Sequence, residues 1–199
     1  PSLDVTKEYT YQFLDTLFGE MAALFPDEYF HIGGDENTGK DWKNSPSIQD
    51  YMKTNNIKNE HDLQTAFNIR LLPMLTKHGK KVIGWDEILQ PGVPKDIVIQ
   101  SWRGGSPYYE SVKKGYSSLL SSGYYIDLIQ PTDYHYLVDP APDSAKLTDE
   151  EQKLILGGEA TMWTEHTTTE TVDSRMWPRT AAIAERLWSD KNVRDVDEM

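Results

Sequence analysis

Apolar residues recur at helical spacing in two long stretches of the chain. Residues 7–25 place apolar side chains three or four positions apart, and because Pro26 follows them, the pattern predicts a helix that ends before the proline. Residues 60–78 have a similar apolar face, and Gly79 is suited to the C-cap. Pro73 lies inside this second pattern, so we expect a kink there.

Four shorter helices are indicated by caps, by prolines in the first turn or by helical spacing. Their signals are, in chain order, Ser45-Pro46; Ser106-Pro107 with Gly115 as the stop; a capping box from Thr148 to Glu151; and the Ala-rich residues 173–188.

Short apolar runs lie between these helices. They cover residues 29–32, 81–84, 97–100, 118–121 and 154–156. The runs show little alternation of apolar and polar residues, which is typical of parallel strands that are buried on both faces. Strands separated by helices then predict the α/β class.

Acids and large aromatic residues follow each of the predicted strands. In chain order they are His31, Asp35 and Glu36; Trp85, Asp86 and Glu87; Trp102 and Arg103; Tyr124, Tyr125 and Asp127; and Glu159, Trp163 and Glu165. In a (β/α) barrel the carboxyl ends of the strands form the active-site face. The pattern therefore predicts a functional site built from several strand ends.

Tryptophans beside carboxylates are suited to a sugar, because an indole stacks on the apolar face of a pyranose while carboxylates accept hydrogen bonds from its hydroxyls. Two carboxylates at a glycosidic bond can divide the acid and electrostatic roles, and the neighbours Asp35 and Glu36 fit this arrangement. One alternative is a solvated acidic turn. Another is a divalent-metal site with His31 and Asp86, although the spacing matches no tight metal motif.

Composition narrows the range of partners. The 199 residues carry a formal net charge of −12, which disfavours nucleic acids and anionic membrane surfaces. Aromatic residues make up 11% of the chain, and the absence of cysteine excludes disulfides and thiol chemistry. No apolar run approaches the length of a membrane span. The chain begins at Pro1 without methionine, so we expect it to be an excised segment.

The sequence His31-Ile32-Gly33-Gly34-Asp35-Glu36 resembles the signature of family 20 glycoside hydrolases, the β-N-acetylhexosaminidases. Further motifs similar to that family follow in order at residues 82–87, 99–103, 125–127, 157–165 and 177–188. The resemblance spans nearly the whole chain, and its first motif is quite specific.

The resemblance implies a retaining, substrate-assisted mechanism with an oxazolinium intermediate, one of the departures from the two-carboxylate scheme. Glu36 would be the general acid and then the base. Asp35 would hold the N–H of the substrate's 2-acetamido group, and Tyr125 would donate its hydroxyl to the acetamido oxygen. His31 would support the site without reacting. No cofactor and no metal are implied.

The resemblance also assigns residues that bind the sugar. Trp85, Trp102 and Trp163 would surround the N-acetyl methyl group and the sugar face. Asp127 and Glu165 would bind the outer hydroxyls at C4 and C6, so that only a chain-end sugar fits. The expected substrates are glycans with terminal N-acetylhexosamine, such as chitobiose, and the sequence does not decide between GlcNAc and GalNAc.

In this family the acid motif follows the fourth strand of a (β/α)₈ TIM barrel, whereas here it follows the first. We therefore expect residues 1–199 to form a partial catalytic domain with strands four to eight and without the N-terminal strands. Two functions stand: an exo-acting β-N-acetylhexosaminidase, and a non-catalytic sugar-binding or scaffold fragment of one. Open barrel edges predict self-association. Enzymes of this kind are often exported, which suggests an extracellular or periplasmic parent.

Several residues are interpreted as structural. The histidines at 61, 78, 135 and 166 are expected at the surface, Trp177 and Trp188 in packing, and Arg179, Glu185 and Arg186 in ion pairs on the last helix.

Overall fold

Helices and strands alternate along residues 2–199, the part of the chain that the computed structural model describes. The chain divides into two units, of which the first ends at Ile99 and the second begins at Gln100.

The first unit holds the loop after the first strand, together with four helices and two strands. Its elements are α1 (Glu8–Leu24), β1 (Tyr29–His31), α2 (Lys40–Lys43), α3 (Pro46–Thr54), α4 (Glu60–Lys77) and β2 (Lys81–Trp85). β1 and β2 pair in parallel, with Tyr29 opposite Lys81 and His31 opposite Ile83. A 3₁₀ turn, Asp86–Ile88, follows β2 directly.

Strand β3 (Val98–Ser101) crosses the boundary at Ile99 and leads into the second unit. The elements that follow are α5 (Gly105–Lys113), β4 (Ser118–Leu120), α6 (Thr132–Tyr136), α7 (Asp149–Gln152), β5 (Ile155–Gly158), α8 (Val172–Met176) and α9 (Arg179–Trp188). β4 and β5 are parallel, and the strands follow one another in the sheet in the order β1-β2-β3-β4-β5. The predicted α/β class is confirmed.

Local start and stop signals predict the ends of several helices correctly. Thr148 and Glu151 form the predicted capping box at α7, with side-chain bonds in both directions. Helix α4 begins after Asn59, whose side chain accepts a hydrogen bond from the Asp62 amide, and it continues through Pro73 to Lys77. These ends depend on residues close in sequence, which is why the pattern located them.

The predicted single helix over residues 173–188 is wrong. The structure has two helices there, α8 and α9, separated at Trp177 and Pro178. Pro178 has no N–H to donate, and its ring disfavours a helical conformation at the residue before it. Trp177 is accordingly extended, with φ −108° and ψ 138°.

The expectation that the strands are buried on both faces holds only for part of the sheet. All of β3 is buried, whereas Tyr29 in β1 and Leu156 in β5 are exposed. β1 and β5 are the first and last strands in the sheet order, so within residues 2–199 each has a strand neighbour on one side only.

Some residues interpreted as structural lie elsewhere than predicted. His61 and His166 are exposed and His78 is half-buried, but His135 is completely buried. Trp177 and Trp188 are exposed rather than packed; Trp177 lies between α8 and α9, and Trp188 is the last residue of α9.

The arginines of α9 bind backbone carbonyls instead of the predicted acids. Arg179 donates from Nε to the Gln130 oxygen over 2.7 Å, and Arg186 donates to the Val193 oxygen over 2.8 Å. Each arginine therefore connects α9 to a loop through a hydrogen bond to a backbone carbonyl.

Each unit has its own apolar cluster. In the first unit the buried members are Val5, Trp42, Ile48, Met52 and Leu63. In the second unit they are Tyr108, Leu120, Tyr124, Ile126 and Ile183. Among residues 2–199, no helix is both long and apolar enough to span a lipid bilayer.

Candidate active site

The loop after β1 has a backbone that few sequences could adopt. Gly33 and Gly34 have φ values of 69° and 102°, and Glu36 lies in the left-handed region at φ 49°. Residues with a Cβ are disfavoured there, and such conformations cluster at functional sites. A Cβ at Gly34 would lie 2.3 Å from Cγ2 of Ile88, so only glycine fits. The loop leaves the Asp35 and Glu36 side chains exposed.

His31 lies at the base of this loop. Its Nδ1 accepts a hydrogen bond of 3.0 Å from the Gly33 amide, and its ring lies 4.8 Å from the ring of Trp85 at 62°. The Trp85 amide in turn donates to the Gly33 oxygen over 3.0 Å. The end of β2 and the start of the acidic loop are therefore tied together through His31, Gly33 and Trp85.

Helix α4 of the first unit also contacts this loop. Gln64 in α4 donates from Nε2 to the Gly34 oxygen over 2.8 Å and accepts from Asn37 Nδ2 over 3.3 Å. No sequence pattern singles out Gln64, because its position in an amphipathic helix carries no chemical signal of its own.

Asp86 does not join the acids of this loop in a metal site. It is buried in the 3₁₀ turn after β2, whereas Asp35 and Glu36 are exposed. Within residues 2–199, no group of three or more His, Cys, Asp or Glu side chains is arranged to hold a metal ion.

In the second unit, the segments after β4 and β5 meet at Tyr125. The Thr161 amide donates to the Tyr124 oxygen and the Ile126 amide donates to the Thr161 oxygen, both over 3.0 Å. These bonds bring the ring of Tyr125 to 6.4 Å from the ring of Trp163, with 33° between the planes. Trp163 remains largely open to solvent. The backbone pairing thus forms an aromatic pair from two predicted site residues.

Asp127 lies two positions after Tyr125 in the chain and is buried. Only 2% of the residue is exposed, and among the described residues its Oδ1 has no hydrogen-bond partner. A buried carboxylate oxygen without a donor is unfavourable, so such a group is expected to meet donors from a ligand or water. Its position in the turn Ile126–Leu128 follows from the same backbone pairing at Thr161.

Tyr124, the neighbour of Tyr125, belongs to the core. Its hydroxyl donates to the Val138 oxygen over 3.1 Å, and its ring packs against Gly158, where a Cβ would lie 2.3 Å from Cε2. Burial raises the pKa of Tyr124 well above its usual range. Both tyrosines follow the same strand, but Tyr124 is packed into the core whereas Tyr125 is only half-buried.

Three further predicted residues lie in the same unit. Trp102 follows β3 directly and is half-buried, and Glu165 is exposed in the segment after β5. Glu159 is tied to β3 by a hydrogen bond from the Gln100 amide group, which also donates to Ser121 Oγ over 2.8 Å. The Glu159 side chain therefore links the segment after β5 to strand β3.

Comparison with known proteins gives a consistent result. The family model described as glycosyl hydrolase family 20, catalytic domain, matches residues 1–191. The chain is 37% identical to β-hexosaminidase subunit A2 of Dictyostelium discoideum over 205 residues, covering 98% of this chain and 38% of that protein. It is 34% identical to the human β-hexosaminidase subunit β, covering 98% of this chain and 36% of that protein.

Solved structures agree with the sequence relatives. A chitobiase of Flavobacterium johnsoniae is similar with a TM-score of 0.94 and 54% identity, over 99% of this chain and 31% of that one. An exo-β-N-acetylglucosaminidase of Vibrio harveyi, solved with N-acetylglucosamine, matches with a TM-score of 0.88 and 28% identity, over 98% and 34%. The chain thus spans roughly a third of the length of these relatives. The predicted fold class, a run of strands from a (β/α)₈ barrel, is confirmed.

Proposed function

The chain belongs to glycosyl hydrolase family 20, and from this premise we propose that it carries the acid/base part of an exo-acting β-N-acetylhexosaminidase. The observation that most supports the proposal is the left-handed backbone of Glu36, at φ 49° in a loop where Gly34 has no room for a side chain. Such a conformation is unfavourable for a residue with a Cβ, and unfavourable backbone conformations cluster at active sites.

The proposed reaction uses the substrate's own acetamido group. Its carbonyl oxygen attacks C1 while Glu36 gives its proton to the leaving glycosidic oxygen, which forms an oxazolinium ring and releases the aglycone. Glu36, now a carboxylate, takes a proton from water as that water attacks C1, and the ring opens with retained configuration. In this scheme Asp35 accepts the acetamido N–H and stabilises the positive charge, and Tyr125 holds the acetamido oxygen.

The remaining site residues are proposed to bind the terminal sugar. Trp85, Trp102 and Trp163 offer indole faces to the sugar and its N-acetyl methyl group. Asp127 has a buried carboxylate oxygen that needs donors, which the C4 or C6 hydroxyl would provide. Glu165 is proposed to bind the other hydroxyl. The Vibrio harveyi relative was solved with N-acetylglucosamine, which supports N-acetylglucosamine-terminated glycans as substrates here.

We assign this activity to a complete barrel that contains residues 1–199, as the partial catalytic domain predicted from the sequence. The chain covers 31–38% of the relatives reported above, so a substrate pocket like theirs would draw on more residues than these. The proposed roles are therefore tested in that complete protein.

The decisive experiment compares hydrolysis of chitobiose and of a chromogenic N-acetyl-β-glucosaminide by the wild type and by Glu36→Gln. Loss of general acid catalysis should lower the rate on chitobiose by about 10²–10⁴-fold. Glu20→Gln, an exposed acid on α1, is the matched control and should keep the wild-type rate. A wild type without any hydrolysis would favour a non-catalytic sugar-binding or scaffold role, and a fully active Glu36→Gln would disprove the assignment of the acid.

A further inference from the structure

The loop that carries Asp35 and Glu36 is bridged by one side-chain amide. Gln64 donates from Nε2 to the Gly34 oxygen over 2.8 Å, and its Oε1 accepts from Asn37 Nδ2 over 3.3 Å. Gly34 and Asn37 directly flank the two acids. Both hydrogen-bonding ends of the Gln64 amide are therefore used to fix the span that contains Glu36.

The bridge is part of a wider set of restraints on the same loop. Asn37 Oδ1 accepts from the Gly39 amide over 3.0 Å, which fixes the amide that Gln64 contacts. Ile88 lies against Gly34, where an added Cβ would come within 2.3 Å of its Cγ2. The Gly34 peptide is thus restrained by Ile88 as well as by Gln64.

Glu36 needs such restraints because its own conformation is unfavourable. At φ 49° its backbone lies in the left-handed region, where the Cβ is close to the following carbonyl oxygen. A strained residue persists only when its surroundings determine its conformation, and without them the loop would relax toward a more common φ. Relaxation would move the Glu36 carboxyl group.

We infer that Gln64 is a positioning residue for the acid/base at Glu36, acting through Gly34 and Asn37 and touching neither the substrate nor the reacting atoms. This inference rests on the proposed function of Glu36. Gln64 would then matter most for the step in which Glu36 protonates the leaving oxygen, and least for substrates whose leaving group departs without a proton.

The test measures kcat/KM, which reports the steps up to departure of the leaving group, for chitobiose and for 2,4-dinitrophenyl N-acetyl-β-glucosaminide. It is carried out in the complete barrel protein with Gln64→Met, which keeps the length of the side chain but removes both hydrogen bonds. We expect a loss of about 10²-fold on chitobiose, the size of a small misplacement of a catalytic group, and nearly unchanged kcat/KM on the dinitrophenyl substrate.

A second variant keeps the test valid if Gln64→Met folds poorly. Gln64→Glu has the same shape and still accepts from Asn37, but it cannot donate to the Gly34 oxygen. It should show the same dependence on the leaving group. The matched control is Gln49→Met, because Gln49 is also a half-buried glutamine, and it donates to the Trp42 oxygen over 3.1 Å without contacting the acidic loop. This control should show no dependence on the leaving group.

The outcomes separate this inference from the proposed function. If Glu36→Gln depends on the leaving group while both Gln64 variants lose equal activity on the two substrates, or lose none, Gln64 is merely structural and the inference is wrong. If Glu36→Gln itself shows no such dependence, the assignment of Glu36 fails instead.

Discussion

Tyr124 and Tyr125 are neighbours in the chain, yet their side chains lie in different surroundings. The Tyr124 hydroxyl is buried and bonded to the Val138 oxygen, whereas Tyr125 is half-buried beside the exposed Trp163. The pair offers a matched comparison in which the same atom, a phenol oxygen, is removed from two adjacent residues.

We expect Tyr125→Phe to lower kcat on N-acetyl-β-glucosaminides by on the order of 10²-fold, because in the proposed mechanism the Tyr125 hydroxyl is the donor that positions the acetamido oxygen. Inhibition by thiazolines that mimic the oxazolinium ring should weaken as well. Tyr124→Phe should instead lower the free energy of unfolding by about 0.5–1.5 kcal/mol with little change in kcat. Trapping of a covalent glycosyl-enzyme on Asp35 would contradict the substrate-assisted scheme.

The burial of His135 predicts that the stability of the folded chain depends on pH. The residue is completely buried, and its Nδ1 lies 2.6 Å from the Gly123 oxygen. Burial lowers the pKa of His135, the bond to Gly123 opposes this and the Arg179 guanidinium adds to it. The folded state therefore favours neutral imidazole. The contribution is fully present above the pKa of the unfolded chain, about 6.5, and is lost as the pH falls below it.

Urea unfolding of wild type and His135→Gln between pH 7.5 and 5 measures this contribution. Stability of the wild type should fall more steeply, by at most about 1.4 kcal/mol per pH unit for one proton. His61→Gln, at an exposed position, should leave the wild-type slope unchanged. Equal slopes in wild type and His135→Gln would mean that folding does not lower the pKa of His135.

The candidate residues could be predicted from the sequence, whereas the contacts that surround them could not. Asp35, Trp85 and Tyr125 stand out because acids and aromatics follow strands, and this order is visible in one dimension. Gln64 and His135 act through contacts with Gly34 and Gly123, which lie 30 and 12 positions away in the chain. A pattern of local spacing contains no information on such pairs.

At the scale of elements, strand β5 packs so closely on the segment after β4 that it depends on a glycine. A Cβ at Gly158 would lie 2.3 Å from the Tyr124 ring and 3.2 Å from the Leu120 oxygen. The backbone of Gly158 does not have a positive φ, so the restriction comes from packing alone. Alanine would have to displace a buried ring.

Gly158→Ala should therefore lower the free energy of unfolding by about 1–3 kcal/mol, the usual effect of overpacking. Gly19→Ala in α1 is the control. Its Cβ would meet only the His78 ring, at 3.0 Å from Cε1, and that half-buried side chain can move. Thermal or urea unfolding measures the stability of both variants. A Gly158→Ala variant as stable as the wild type would show that the Tyr124 ring repacks freely.

Element boundaries were predictable where residues close in sequence determine them. The capping box at Thr148 depends on residues three positions apart, and α1 ends before Pro26 as expected. The break between α8 and α9 is not predicted, because the Ala-rich helical pattern favours one continuous helix across Pro178. The exposed side chains of β1 and β5 depend on the order of strands in the sheet, which no local pattern gives.

On the scale of the whole molecule, apolar surface is left open at the first helix and at the end strands. On α1, Tyr9, Phe13 and Leu17 are exposed at a spacing of four, beside the face of the helix that is buried. Tyr29 and Leu156 are exposed on β1 and β5. Surfaces of this kind favour association with another chain.

We expect the 199-residue chain, studied by itself, to self-associate or aggregate, and to hydrolyse N-acetyl-β-glucosaminides weakly or not at all. Light scattering and an activity assay on the same sample measure the two properties. Tyr9→Lys together with Phe13→Lys should reduce association if the α1 stripe takes part in it. A monomeric wild-type chain with ordinary enzyme rates would contradict both expectations.

Trp188 has an optical consequence. With 93% of its surface exposed at the end of α9, its indole should emit like tryptophan in water and be quenched readily by iodide, unlike Trp42, which is 4% exposed. The difference between the spectra of wild type and Trp188→Phe isolates that emission. Any chain that comes to cover α9 would shift this difference spectrum to shorter wavelength and shield it from iodide, so one natural fluorophore reports on what docks at this end of the second unit.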